Sequence, residues 1–289
     1  MESSKLGLLK FCGPTENSIS NLEKGVIFCQ HYSAYNDPFE FWHHIYTNVP
    51  DRWKEPKRYA AALDAWGVLD SPPEDEVVFK YFDGCVSYDP GFQDMCDKTR
   101  ISCFGSERDS MLMWSHYADG LRGFCVVFDE DVLLESELEP YLLNVDYQDY
   151  PPVIDCFVYV IARDQYEYHC MAIEEASALA DQKYWIPLYK KAKLEAFDSM
   201  AKTWQQVFAT KPLAWKYERE RRLLVMSEEE NVSPSLLQYS PKAVREIILG
   251  ERMEYGVRQR INSILRESYP HVPVRTARRV QGVYSINID

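Results

Sequence analysis

The apolar positions of this chain fall into two textures. Short continuous runs, bounded by charge, glycine or proline, read as strands: Gly7 to Cys12, Val26 to Cys29, Ile101 to Phe104, Gly123 to Phe128, Leu142 to Tyr147, Trp215 to Met226, the stretch from Pro241 to Gly250, and Gly282 to Ile288. Helical spacing dominates elsewhere. It appears around Arg58 to Trp66, Glu76 to Phe82 and Met253 to Glu267, in the acidic run from Asp129 to Glu139, and most fully across Cys156 to Phe208. In that last stretch Ala172, Ala176 and Ala178 are followed by Trp185, Leu188, Ala192, Leu194, Phe197, Met200, Trp204 and Phe208, a stripe of the kind that packs a core. Thr15, with Asn17 or Ser18, can cap a helix that runs through Lys24 and stops at Gly25. Pro38 pushes Asp37 out of the helical region and can itself start a helix, with Phe39, Phe41, Trp42, Ile45 and Tyr46 covering one side.

This order predicts an α+β fold. The expected architecture is one domain over residues 1–289, with a central, mostly antiparallel sheet, either continuous or split. A helical excursion at 47–99 and a helical insertion at 156–210 depart from it.

The stretch from Arg100 to Asp129 organises the rest. It reads as strand, polar loop, short aromatic helix, glycine turn and strand. Between its two buried-looking strands stand Ser102, Ser106, Asp109, Ser110, Trp114, Ser115, His116, Tyr117 and Asp119, more polar and aromatic groups than solubility requires. If Trp215 to Met226 is one strand, its period of two puts Glu218, Glu220 and Arg222 on one face, a polar cluster with two carboxylates. Asn36 and Asp37 either make a plain turn or line the mouth of a pocket.

Composition narrows the setting. A chain of 289 residues, 46% hydrophobic and 14% aromatic, is long and apolar enough to bury a stable core. A net charge of −13 repels phosphate backbones over a Debye length of ~8 Å, which argues against a broad duplex-binding surface, although a local basic cluster could hold one small anion. Eight cysteines without a CxxC pair, several inside apolar runs, read as reduced and buried, hence a cytoplasmic protein. The first residues lack the pattern of a signal peptide, and no window approaches the ~18 apolar residues of a membrane span. No metal is expected, because the histidines offer only the adjacent pair His43 and His44. Ser115 and His116 are neighbours that point apart and cannot form a nucleophile–base pair; His116 is expected beneath the pocket or as a lone acid/base.

Three motifs together carry a family resemblance: Asn36-Asp-Pro-Phe-Glu40; Met113-Trp-Ser-His-Tyr-Ala118 with Gly123-Phe-Cys-Val-Val-Phe128; and Trp215-Lys-Tyr-Glu-Arg-Glu220 with Arg222. They resemble the bacterial and phage family called domain of unknown function 2971, from Leu8-Leu-Lys-Phe11 to Ile247-Ile-Leu-Gly250. Gly105 departs from it, since serine is commoner there, and Ser106 is the nearest hydroxyl.

The order of residues also resembles that of ADP-ribosyltransferases: a basic residue on the first strand (Lys10, where His or Arg is usual), a serine on a central strand (Ser102), and a late Glu-x-Glu (Glu218 and Glu220). That likeness implies NAD as substrate. Glu220 would stabilise the positive charge that develops on the ribose, and Glu218 would orient or deprotonate an acceptor, either a protein or a nucleic acid. Trp114 and Tyr117 would stack on a base, and Arg222 would hold the pyrophosphate. The setting implied is a phage-defence or toxin effector. Three other readings remain open: a non-catalytic nucleotide sensor or interaction module, a metal-dependent nuclease using Asp109, Glu218 and Glu220, and a purely structural ion-pair network near Trp114. The discriminating feature is whether Glu220 faces one cavity with Trp114, Ser102 and Lys10. Oligomeric state is not encoded in any of these signals.

Overall fold

The computed structural model describes residues 7–86, 89–179, 181–228 and 231–289. The backbone forms two compact units, one built from the chain up to Glu40, Asp94–Asp149 and Lys211–Asp289, the other from Phe41–Gln93 and Tyr150–Thr210. Most of the helical excursion (47–99) and the whole span of the helical insertion (156–210) therefore fall in the second unit.

The first unit carries two five-stranded sheets. One runs Leu8–Cys12, Phe124–Phe128, Val244–Gly250, Val274–Arg279, Ile286–Ile288; only its pairing of Val244–Gly250 with Val274–Arg279 is parallel. The other runs Ser235–Gln238, Val26–His31, Thr99–Phe104, Arg221–Met226, Tyr141–Asn144, and its pairs are antiparallel. The two sheets meet at a bridge, where the Leu9 N–H donates to the Gly105 carbonyl at 3.2 Å and the Gly105 N–H returns a bond to the Leu9 carbonyl at 2.8 Å. The fold is thus a mostly antiparallel, split α+β arrangement. Its opening strand, helix and strand look like one local unit, yet Leu8–Cys12 and Val26–His31 belong to different sheets.

Local chemistry explains these elements. The Thr15 side chain accepts the Ser18 N–H at 3.2 Å and starts helix Glu16–Lys24, and Gly25 stops it with φ 65°, a conformation that costs glycine little. Leu8 faces a core shared with Val126, Phe128, Ile247, Leu249 and helix residues Ile261 and Leu265. Leu9 and Phe11 face the opposite way, against Trp114, Val127 and Ile248. With both faces of the sheet covered, every residue of Phe124–Phe128 is buried, which is why that run is continuously apolar rather than alternating. Gly250 lies against Gly123, with a 2.9 Å backbone bond between them; a Cβ on Gly250 would stand 2.1 Å from the Leu121 carbonyl oxygen. Strand Val274–Arg279 has no apolar run of its own and is not evident in the sequence. The final strand covers Ile286–Ile288 rather than starting at Gly282.

In the second unit, helices Cys156–Ala178 and Ile186–Phe208 pack on each other, and Phe82 of helix Asp75–Val86 meets Phe157 edge-on at 5.0 Å. The helix expected to start at Pro38 does not form. Phe41 takes φ 54°, a left-handed turn that breaks any helix there. His44–Tyr46 then pairs in parallel with Val153–Asp155. The apolar spacing that suggested a helix is overridden by strand pairing with residues about a hundred positions away.

The eight cysteines are all free thiols; Cys12, Cys103 and Cys170 are half-buried and the other five buried. Among the described residues no helix is long and apolar enough to cross a membrane.

Candidate functional site

The segment from Trp215 to Met226 is not one strand. Leu213–Glu218 forms a 3-10 turn, Arg219 adopts φ 43°, and the strand begins only at Arg221. Glu218 and Glu220 therefore converge through a left-handed reversal, not through strand periodicity. Both are buried, at 4% and 3% exposure. Lys211, 5% exposed, reaches between them, with its Nζ 2.7 Å from Glu218 Oε2 and 2.8 Å from Glu220 Oε2. The Tyr117 hydroxyl donates to Glu218 Oε1. Arg222 donates from Nε to Glu220 Oε1 at 2.9 Å and grips Glu40 with its other two nitrogens at 2.6 and 3.0 Å. Three carboxylates and two cations thus alternate in a chain: Glu218, Lys211, Glu220, Arg222, Glu40. The backbone locks the centre of this chain, since the Glu220 N–H donates to the Tyr147 hydroxyl at 2.8 Å and the Glu220 carbonyl accepts the Val145 N–H at 3.0 Å.

The electrostatics follow from that order. Burial pushes the Glu220 carboxyl up, but the Arg222 guanidinium and the Lys211 ammonium outweigh it and hold the group down at about 2, so Glu220 is ionised at neutral pH. Burial works against the Lys211 ammonium, yet the Glu220 carboxylate keeps it above its ordinary value. Glu40 is raised, because burial exceeds the help it receives from Arg222. Burial, then the bond to Glu218, raises the Tyr117 phenol, which stays a donor.

A cavity of about 330 Å³ opens beside the acid pair, lined by Lys10, Tyr35, Asn36, Tyr117, Lys211, Glu218 and Glu220. Lys10 lies on strand Leu8–Cys12 and reaches across to the neighbouring sheet, where its Nζ donates to Ser102 Oγ at 2.7 Å and the Cys103 carbonyl at 3.0 Å. The structure so brings together Lys10, Ser102, Tyr117, Asn36, Glu218 and Glu220, residues drawn from distant parts of the sequence.

Other expected residues stand elsewhere. Trp114 is 0% exposed, packs edge-on to Phe11 at 5.4 Å and donates its indole N–H to the Arg108 carbonyl at 2.7 Å; it supports the floor of this cavity and does not line it. His116 is exposed at the end of helix Met111–His116, its ring 6.0 Å from that of Tyr217, and it does not line the cavity. Asp109 is exposed and apart from the acid pair, which leaves the nuclease trio of Asp109, Glu218 and Glu220 unassembled. Arg222 is fully buried between two carboxylates, so its fork is occupied and does not face a pyrophosphate. Asp37 is buried rather than at the mouth; its Oδ1 accepts the Phe39 N–H at 2.9 Å, while Oδ2 has no hydrogen-bond partner among the described residues. Ser106 donates to the Arg219 carbonyl at 2.8 Å and ties down the reversal. At Gly105 the space is tight: a Cβ there would stand 3.2 Å from the Phe11 ring and 3.3 Å from the Met113 methyl, so one of these side chains would have to give by a few tenths of an ångström.

Lys211 is the residue that sequence reasoning missed most consequentially. Followed by Pro212 after a long helical stretch, it reads as a helix stop. Its one signal is an isolated cation shortly before a Glu-x-Glu. Its ammonium also occupies the point between the carboxylates that a divalent ion would take, and among the described residues no group of three or more His, Cys, Asp and Glu side chains forms a metal site.

No curated protein and no solved structure matches this chain. One family model does, over residues 113–223, a span that includes Met113-Trp-Ser-His-Tyr-Ala118, the Gly123–Phe128 run and the acid pair, whereas the Asn36–Glu40 motif lies outside it. That model is described as Protein of unknown function (DUF2971), and residues 113–223 of the chain are similar to it.

Proposed function

We propose that the cavity beside Glu218 and Glu220 takes the nicotinamide–ribose part of NAD, and that the chain breaks its glycosidic bond to transfer or hydrolyse ADP-ribose. The observation that carries this reading is the presence of Lys10, Tyr117, Glu218 and Glu220 around one cavity. A volume of about 330 Å³ lies at the lower end of small-molecule pockets, ~300–1,000 Å³, and suits half of a dinucleotide. In the reaction the bond between ribose C1′ and the nicotinamide nitrogen breaks, and its electron pair leaves with nicotinamide, neutralising the pyridinium. The positive charge left on the ribose needs a fixed anion, and Glu220 is ionised at neutral pH and held from three sides. Water or an acceptor hydroxyl then forms the new bond to C1′, and its proton passes to Glu218 or to solvent. Lys211 keeps the two carboxylates in place as their surroundings change.

A specific observation favours a second reading. Both oxygens of Glu218 and both of Glu220 already hold a lysine, arginine or tyrosine donor. Such satisfaction suits a rigid wall that binds a nucleotide without turnover, as in a sensor or effector of a defence locus.

The test is incubation of purified protein with NAD, following nicotinamide release, with Glu220→Gln alongside and its melting curve recorded. Release by wild type and none by a folded variant supports the enzyme. Binding of NAD by calorimetry without release supports the second reading, and neither binding nor release overturns both.

A further inference from the structure

A second and larger cavity, about 500 Å³, lies on the other side of Lys10, between strand Leu8–Cys12 and helix Glu16–Lys24. The two cavities share three lining residues: Lys10, Phe11 and Phe28. Phe28 is 41% exposed although it sits on a strand whose neighbours Ile27 and Cys29 are buried. An aromatic ring left open inside a concave wall is a ready surface for a planar base.

The helix supplies the polar side. Asn17, Asn21 and Lys24 are spaced by four and three residues, so they share one helix face, and all three line this cavity with Ser20. Among the described residues, the side chains of Asn17, Ser20 and Asn21 make no hydrogen bond. A side-chain amide offers donor and acceptor together, the pair a base edge or a ribose diol requires. Two cations, Lys10 and Lys24, border a cavity with no carboxylate in its lining, in a chain of net charge −13. That local sign suits a phosphate.

Resting on the reading of the first cavity as a nucleotide site, we infer that the second cavity is the subsite for the other nucleoside of a dinucleotide. Its base lies on Phe28, its polar edge meets Asn17 and Asn21, and the Lys10 ammonium sits beneath the linking pyrophosphate. The two spaces joined at Lys10 then account for why a nucleotide pocket of this kind is bordered by a helix face of unspent amides.

The experiment is calorimetry of the full chain with NAD, AMP and nicotinamide mononucleotide, for wild type and for Asn17→Ala/Asn21→Ala. Alanine favours the helix, so the fold survives. The expected result is that the variant loses about tenfold in affinity for NAD and AMP, the loss of two neutral hydrogen bonds, and none for nicotinamide mononucleotide. Wild type that binds AMP but not nicotinamide mononucleotide, with AMP weakened in the variant, would keep this subsite while removing the first-cavity reading. NAD bound equally by wild type and variant would overturn the subsite and leave the first-cavity reading standing. Failure of wild type to bind any of the three would overturn both.

Discussion

Replacing Lys211 by methionine isolates the interaction on which the acid pair depends. The ammonium stands 2.7 and 2.8 Å from two buried carboxylates, so its removal leaves Glu218 and Glu220 facing each other without a cation between them. Two unit charges about 5 Å apart repel by about 3 kcal/mol at an effective dielectric constant of about 20. Removing one member of a buried ion pair costs about 3–5 kcal/mol by a separate line of experience, so the two figures agree. Methionine keeps the length of the stem and its apolar packing, including the side facing the Trp215 ring, which the lysine amine approaches at 4.9 Å. The assay is hydrogen exchange across Arg221–Met226 in increasing urea, which reads this unit by itself. Lys211→Met should lose about 3–5 kcal/mol at pH 7, and adding Glu218→Gln should recover part of it by removing one of the opposed charges. The pH dependence has a definite sign. Without the ammonium, Glu220 loses one of the two cations that hold it down, so the variant lacks part of the stabilisation that wild type has above pH 4.5 and loses as pH falls towards 2. The gap to wild type should therefore narrow as pH falls through that range. A single variant within about 0.5 kcal/mol of wild type, or a double variant no better than the single, would refute the argument.

Acid should undo what Glu220 contributes. Its folded value is held at about 2 against an ordinary 4.5, so its stabilisation is complete above pH 4.5 and is lost as pH falls from there towards 2; Glu220→Gln should flatten that part of an acid-unfolding curve. Gly250→Ala places a Cβ 2.1 Å from a backbone oxygen that cannot easily move, and chemical unfolding should register a loss of about 3 kcal/mol or more. Leu223 is fully buried and Leu236 is 54% exposed, both in the same sheet, so Leu223→Ala should cost about 2–5 kcal/mol in urea while Leu236→Ala stays within about 0.5. Trp114→Phe should lower stability through the lost bond to Arg108, by about 1 kcal/mol, without changing affinity for any nucleotide that the wild type binds, because the indole faces no cavity beside Lys10.

The candidate site was legible in its parts. Lys10 on the first strand, Ser102 on the central one and the Glu-x-Glu near the end could all be named from spacing and type, and they do gather. Their neighbours were harder. Trp114, His116 and Asp109 lie in the same polar stretch, yet a short helix turns Trp114 into the core and leaves His116 outside, a distinction that residue type cannot make. Of the two carboxylates that occupy Arg222, Glu220 is near in sequence but Glu40 is 182 positions away, so the closing of its fork could not be read from spacing.

By itself the sequence determined the elements whose causes are local. Thr15 and Gly25 bound a helix through their own hydrogen bonds and backbone freedom, the helical character of Cys156 to Phe208 follows from apolar spacing, and the continuous run Phe124–Phe128 announces a buried strand. Only the tertiary structure decided which strands share a sheet, where Arg219 reverses the chain, and that Lys211 stands between the two glutamates. Periodicity records how a segment is buried along its own axis. The pairing of charges depends on which distant segments meet, and in a buried site that pairing sets each group's ionisation.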